Sequence, residues 1–406
     1  MSRFLAYTSP ARGHLYPMVA TLLELHRRGH EVHVRTLASE LAVLREAGLH
    51  AEAVDPAIEH TPLETWRATT PEEGLALALR TFAQRAVHEV PDLAAAITQV
   101  QPDALLVDIT TAGAAAVAEA ENIPWARSIP LFQHFSMGPE PAREVTMVPF
   151  GIAPAGIDVL NVPRTGLGLP PLAGAEDLWR APLHLYFTAP PFEDPSLPFP
   201  HSFRLVGPGL WEPPTEAPAW LDEIDRPMVL VSVSSEFQRD DALVEAVIEA
   251  MRAEDVEVVV TTAAHDPGRF RPPPNARLTT WLSHGPMLAR SAVTVCHGGM
   301  GITQKAFAAG VPVCVVPFGR DQFEVAGRVM ATGAGTVVMP DALHPTTLRS
   351  AIHEAMTMSS GARAIADGFA RAGGPAAAAD ALESIARTID APVAAGRRPG
   401  ERVSAS

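Results

Sequence analysis

Short apolar runs alternate along most of this chain with longer stretches in which apolar residues recur every three or four positions, the pattern of buried strands interleaved with amphipathic helices. Residues 3–8 (RFLAYT) read as a strand and residues 9–13 as a turn. Over residues 15–28, Leu15, Met18, Val19, Leu22, Leu23 and Leu25 share one helical stripe, and Gly29 is a natural stop. Residues 31–36 (EVHVRT) form the next strand, so the chain opens with a βαβ unit whose strands run parallel. The alternation predicts helices over 39–47, 71–100 and 111–120, an apolar piece at 50–54, and strands at 104–108 and 125–129. Between 130 and 200 it fades into prolines and isolated aromatics (Phe132, Phe135, Phe150, Trp179), the composition of long binding loops.

A second series begins with a strand at 228–233, a helix over 241–252 and a strand at 256–262. After the proline-rich loop 267–274 come a short strand at 278–281 and a short helix at 285–290. A strand from 293 then runs into Cys296-His297-Gly298-Gly299-Met300-Gly301, followed by a helical run and an apolar strand at 311–317. A strand at 336–339 and helices over 345–356 and 363–388 complete the pattern. This is α/β organisation twice over, joined at a proline-rich acidic stretch, 213–218. It divides the chain into domains at 1–207 and 227–375 with a linker at 208–226. The tail 391–406 has no apolar periodicity and is expected to be disordered.

Composition narrows the partners. A chain of 406 residues exceeds what one core usually supports, in keeping with two domains. The formal net charge of −15 argues against a nucleic acid or an anionic membrane, because either needs a basic face. Cys296 and Cys314 both sit in apolar runs, where a small buried hydrophobe fits, and neither a disulfide framework nor metal-ligand spacing is apparent. No signal-peptide core or membrane-length apolar run occurs, so the cytoplasm is the expected compartment.

Candidate chemistry gathers at strand ends. The first βα turn carries only Gly13, which excludes the glycine fingerprint of a dinucleotide fold. His14 follows that turn, and an imidazole there can take a proton from a hydroxyl if its other nitrogen is held; Asp108, at a neighbouring strand end, could hold it. The alternative is that both residues merely begin helices. The glycine turn at 298–301 leaves backbone N–H groups free for an anion, with His297 as a further donor and Thr303 at the helix start, or it is an ordinary tight turn. Ser234 and Ser235 follow the first strand of the second half and could meet the same anion. Trp281 could stack a base or pack in the core. Asp321 and Gln322 suit sugar hydroxyls or a solvated loop.

Together, Gly13-His14-Leu15-Tyr16-Pro17, Val107-Asp108, Val206-Gly207-Pro208 and the block from Trp281 through HGGMG to PFGRDQ resemble the inverting, nucleotide-sugar-dependent glycosyltransferases of the GT-B fold. The bacterial enzymes that decorate antibiotics and their plant small-molecule relatives are the nearest in pattern. The resemblance implies two Rossmann-like domains facing across a cleft, with a C-terminal helix (376–390) crossing back to the first. It implies that His14 is the general base and that Asp108 orients it. Donor binding would involve Ser234, Ser235, Trp281, Leu282, His297, Gly299, Met300, Gly301, Ile302, Thr303, Asp321 and Gln322, with Arg12 and Phe132 towards the acceptor. No metal or cofactor is implied; the partners would be a nucleotide-sugar donor and an apolar small-molecule acceptor, with a homodimer left open.

Two positions depart from the family pattern. Lys305 stands where many relatives place a glutamate that binds both ribose hydroxyls, and lysine cannot accept hydrogen bonds. That favours a dTDP-sugar over a UDP-sugar, unless Lys305 faces solvent or a phosphate. His284 replaces a glutamine that often follows the stacking tryptophan. The rival readings are a non-catalytic partner that kept the fold and a nucleotide-sugar epimerase.

Overall fold

The structure, a computed structural model, describes residues 1–137, 145–148 and 154–387. The tail 391–406 and Phe150 lie outside the described residues. The first half runs β1 (Arg3–Tyr7), α1 (Arg12–Arg27), β2 (Glu31–Thr36), α2 (Leu41–Glu46), β3 (His50–Ala53), α3 (Pro56–Glu59), α4 (Pro71–Val100), β4 (Ala104–Asp108), α5 (Ala112–Ala120) and β5 (Trp125–Ile129). A two-stranded antiparallel ribbon, β6 (His134–Met137) and β7 (Val145–Val148), is followed by α6 (Pro154–Gly166), β8 (Leu183–Tyr186) and β9 (Phe203–Leu205). The second half runs β10 (Met228–Ser232), α7 (Asp241–Met251), β11 (Glu257–Thr261), β12 (Ala276–Thr279), α8 (His284–Leu288), β13 (Ser291–Cys296), α9 (Met300–Ala308), β14 (Val313–Val315), α10 (Gln322–Thr332), β15 (Gly335–Val337), α11 (Pro345–Met356), α12 (Ser359–Arg371) and α13 (Gly374–Arg387).

Seven parallel strands form the first sheet in the order β3-β2-β1-β4-β5-β8-β9, and six form the second in the order β12-β11-β10-β13-β14-β15. Strands β4, β5, β8, β10 and β11 are buried along their whole length, because helices cover both faces of a parallel sheet. In each sheet the order reverses once, between β1 and β4 and between β10 and β13. Right-handed crossovers send the helices on either side of a reversal to opposite faces, which leaves a crevice at the carboxyl ends of those two strands. His14, Asp108, Ser234 and His297 stand at the carboxyl ends of these four strands, while Trp281 lies past β12 and Asp321 past β14.

The halves share an apolar core in which Phe192 meets Phe307 and Phe369 edge-on, with ring centroids 4.9 and 6.2 Å apart. The chain returns at its end to the first half: α13 packs on α1, with Arg28 Nη1 2.6 Å from Asp380 and 3.0 Å from Glu383, and His30 Nε2 3.2 Å from Glu383. A single helix over 363–388 is not what forms. Gly373 and Gly374 take φ of +86° and +55°, left-handed values that end α12 and re-aim the chain into α13. β8 falls where the pattern fades and β9 just beyond it; both are short and carry polar residues, His184 and Arg204, among the apolar ones. Strand β14 is shorter than 311–317, and Pro312 and Pro317 stand just outside it. Among the described residues no helix is long and apolar enough to cross a membrane.

Candidate active site

The first crevice brings His14 and Asp108 together because β1 pairs directly with β4, Tyr7 opposite Val107. His14 lies in the first turn of α1 and Asp108 ends β4. The His14 Nδ1 is 2.8 Å from Asp108 Oδ2. The other carboxylate oxygen accepts the Thr110 amide at 2.8 Å and the Thr110 hydroxyl. The carboxylate is fully buried while the imidazole is 22% exposed, so Nδ1 is committed and Nε2 is the ring nitrogen left for the cleft. Burial disfavours the imidazolium, but the charge and hydrogen bond of Asp108, with the charge of Asp321 behind them, outweigh it and the repulsion of Arg320; His14 titrates above its ordinary range.

The second crevice places Ser234 after β10 and His297 after β13. Ser234 is held by its amide donating to Asp240 at 2.7 Å, and its hydroxyl accepts the Glu236 amide at 3.2 Å. Asp240 in turn contacts His265 Nε2 at 2.7 Å. Ser235 is half-buried beside them. His297 is buried, its Nδ1 3.4 Å from the Ser232 carbonyl, and burial lowers its pKa against the pull of Asp240. A carbonyl only accepts, so the Nδ1 carries the proton and the neutral ring presents a lone pair at Nε2. His297 therefore becomes a donor to an anion only by taking up a second proton.

Gly299 packs against this ring so closely that a Cβ there would lie 2.3 Å from Nε2, and Gly298 adopts φ +85°. Helix α9 then starts at Met300 with no side-chain cap, and the first internal bond runs from the Thr303 amide to the Gly299 carbonyl at 3.1 Å. The Gly298 amide is turned to the Cys296 sulfur, and the amides at the start of α9, from Met300 to Ile302, are available to an anion. Met300 and Ile302 bury their side chains, Gly301 is exposed, and the Thr303 hydroxyl turns back towards Cys296 Sγ at 3.6 Å. From this helix the backbone amides, not the Thr303 hydroxyl, face the crevice.

Trp281 lies just past β12, half-buried, with its ring 6.4 Å from Tyr16 of the first half and 6.2 Å from His284; Leu282 beside it packs on the core. His284 is buried at the start of α8, and burial with the charge of Lys305 lowers its pKa to about 4, so it is neutral. Lys305 is largely buried and paired within the protein: Nζ is 2.8 Å from Oε2 of Glu212, whose two oxygens also accept the His284 and Gly285 amides at 3.1 and 2.8 Å. Thr215 joins Ser283 at 2.7 Å, so residues 212–215 run along the Trp281 loop.

Asp321 and Gln322 are both engaged within the protein. Asp321 accepts the Phe132 amide across the cleft at 3.0 Å, and burial raises its pKa. The Gln322 carbonyl oxygen accepts the Phe318 and Gly319 amides at 2.7 and 3.1 Å, and its amide donates to Gln238 at 2.8 Å. Phe132, expected near the acceptor, is 3% exposed, with Arg328 4.3 Å above its ring and Phe192 at 5.2 Å; its ring belongs to the junction between the halves. Arg12 is paired with buried Glu40 at 2.7 Å, which also accepts the Tyr16 hydroxyl.

No motif in the sequence marks Glu236. It follows the Ser234-Ser235 turn, and burial raises its carboxyl against the charges of Arg320, Arg12, Arg85 and His14. Its proximity to His14 exists only because the two crevices oppose each other. Fold register also brings Glu31, His33 and His50 together, with ligand atoms within 4.8 Å, where β2 pairs with β3. No spacing in the sequence joins His50 to the other two.

The match to the erythromycin biosynthesis protein CIII-like C-terminal domain covers residues 245–385, from α7 to α13. Over 389 residues the chain is 30% identical to the 4'-demethylrebeccamycin synthase of Lentzea aerocolonigenes, covering 86% of this chain and 91% of that one. The solved structure of CalG4, the calicheamicin glycosyltransferase, superposes with a TM-score of 0.75 at 23% identity, covering 97% of this chain and all of that one. VinC in complex with dTDP gives 0.70 at 24% identity, over 95% of this chain and all of that one. The chain belongs to the family of GT-B glycosyltransferases that act in antibiotic and natural-product biosynthesis.

Proposed function

We propose that this chain moves a sugar, in the first place a deoxysugar, from a nucleoside diphosphate to a hydroxyl of an apolar natural product such as a polyketide aglycone. The donor is a dTDP-sugar in preference to a UDP-sugar, the anomeric carbon inverts, and neither metal nor cofactor takes part. The observation that carries this reading is the His14–Asp108 pair at one crevice, within electrostatic reach of Asp321, Arg320 and Glu236 from the other. In the transfer, the acceptor oxygen gives its proton to His14 Nε2 and bonds to the anomeric carbon. The bond from that carbon to the phosphate oxygen breaks on the opposite face, and its electron pair leaves with the diphosphate. Asp108 stabilises the imidazolium, and the uncapped amides of α9 with a protonated His297 take the leaving charge.

Trp281 stacks the base, and the 212–215 segment backs it. Lys305, committed to Glu212 and without an acceptor atom, supports a deoxyribose over a ribose. The dTDP held by VinC supports the same choice. The test is incubation with dTDP- and UDP-sugars and a panel of hydroxylated aromatic and macrolide aglycones, read by mass spectrometry. Aglycone mass increased by one sugar, with dTDP released, is the expected result. Isomerised sugar without an acceptor would instead make the protein an epimerase, and dTDP binding without turnover on any aglycone a non-catalytic partner.

A further inference from the structure

At the amino ends of β2 and β3, the ends away from the crevice, three side chains gather that the transfer reaction does not use. Strand β2 alternates half-buried and buried positions, which puts Glu31, His33 and Arg35 on one side of the sheet. Pairing with β3 sets Arg35 beside Glu52 and His33 beside His50. The first of these is an ion pair, Arg35 Nη2 lying 2.9 Å from Glu52, with Asp92 of α4 3.5 Å from Nη1. The second follows a different logic. Two protonated imidazoles directly opposite each other repel, so the pair favours neutral rings, and each neutral ring offers a lone pair. The ring centroids are 4.7 Å apart with 21° between the planes. Glu31, two residues before His33 on the same side, has Oε1 2.8 Å from His33 Nε2. One nitrogen from each ring and one carboxylate oxygen all fall within 4.8 Å of one another. Glu31 and His33 are half-buried and His50 is exposed, so the group opens to solvent.

We propose that Glu31, His33 and His50 form a site for a divalent transition-metal ion, zinc in the first place, with water completing the coordination. Two imidazoles and one carboxylate suit zinc, nickel or copper, whereas magnesium and calcium take oxygen ligands. Zinc holds such ligands at about 2.0–2.2 Å, which sets them about 3.3 Å from one another. Glu31 and His33 stand close to that spacing, and the ion takes the place of the proton that Nε2 shares with the carboxylate. The His50 ring, nearly parallel to that of His33, has to turn about its Cβ–Cγ bond to aim its lone pair at the same ion, and its exposure leaves room for the turn. The backbone on both sides is already fixed by the β2–β3 ladder, so little chain has to be ordered for binding. The role of the ion is structural. Strand β3 is the edge of the first sheet and is paired on one side only, so coordination across β2 and β3 pins it, remote from the sugar-transfer chemistry.

The test uses the full chain without a histidine tag, titrated with zinc chloride by calorimetry and thermal shift, with magnesium chloride as the control. Zinc binds once per chain with a Kd of about 1–10 μM and raises the melting temperature, while magnesium does neither. His50→Ala changes an exposed position, and Glu31→Gln keeps an acceptor for His33 but removes the charge; each weakens zinc about tenfold or more. The double variant His33→Ala/His50→Ala abolishes zinc binding. Affinity for dTDP stays unchanged in all three, which separates loss of the metal site from loss of the fold. Should the double variant fail to fold, His50→Ala and Glu31→Gln decide. Absence of zinc binding at about 1 mM, equal binding of magnesium, or zinc affinity within about twofold of wild type in His50→Ala would overturn the proposal, the last by placing the ion on other histidines.

Discussion

Replacing Asp108 by asparagine preserves shape and removes a charge, and the surrounding hydrogen bonds dictate how the amide must turn. Thr110 presents its backbone N–H to Oδ1 at 2.8 Å, with its hydroxyl at the same oxygen. An asparagine that aimed its NH2 at that amide would set donor against donor in a buried place, costing about 1–3 kcal/mol. Its carbonyl oxygen therefore stays with Thr110, and its NH2 faces His14 Nδ1. That nitrogen must then accept, the ring proton moves to Nε2, and the atom that should receive the acceptor's proton already carries one. The expected loss in kcat is about 10³–10⁴-fold, the size associated with a misplaced tautomer.

The pH profile carries a second signature. His14 works as the neutral base and its pKa is raised mainly by Asp108, so wild-type kcat/KM rises with pH through that elevated value. Loss of a contacting opposite charge lowers such a pKa by roughly 1–3 units, so the residual activity of Asp108→Asn should have its acid limb displaced downwards. Stopped assays across pH give the profile, and calorimetry gives dTDP affinity, which should be unchanged because the dyad lies in the other half. A rate within twofold of wild type, or an acid limb that does not move, would refute the orientation argument.

His297 is neutral when free and must gain a proton to donate, so dTDP binding should take up a proton and weaken as pH rises between its free and bound pKa values; calorimetry in two buffers of different ionisation heat measures the uptake, and His297→Ala should cost about 10–100-fold in affinity. Gly299→Ala forces a methyl to 2.3 Å from that imidazole, pushing the ring off the Ser232 carbonyl; a tenfold or greater loss of dTDP affinity and about 1–3 kcal/mol of stability should follow in titration and urea melts. Lys305→Met leaves Glu212 charged with a largely buried side chain and should cost about 3 kcal/mol at neutral pH. Burial raises the Glu212 pKa but Lys305 lowers it further, to a net value below the ordinary carboxylate range, so this contribution is complete above that range and is lost as pH falls through the folded value; the gap between wild type and variant in urea melts should close in acid.

Much of the architecture is a matter of local pattern. Strands such as MVLVS and ALLVD announce themselves because a parallel sheet covered on both faces demands unbroken apolar runs, and α1 because its stripe repeats at helical spacing. His14, Asp108 and the glycine turn before α9 were legible for the same reason: in such folds the residues just past a strand line the crevice. What the chain does not encode locally is which strand ends are neighbours and what faces them. The 2.8 Å contact between His14 and Asp108, 94 residues apart, follows from β1 pairing with β4. Lys305 was the open position in the sequence, since nothing near it suggests a partner 93 residues earlier; Glu212 reaches it only because the connection between the halves folds along the Trp281 loop. Likewise Phe132 reads as a loop aromatic until the halves meet and bury it under Arg328. Periodicity follows from the immediate geometry of the backbone and is written in neighbouring residues, whereas charge pairing, tautomer and desolvation depend on groups brought together across the chain.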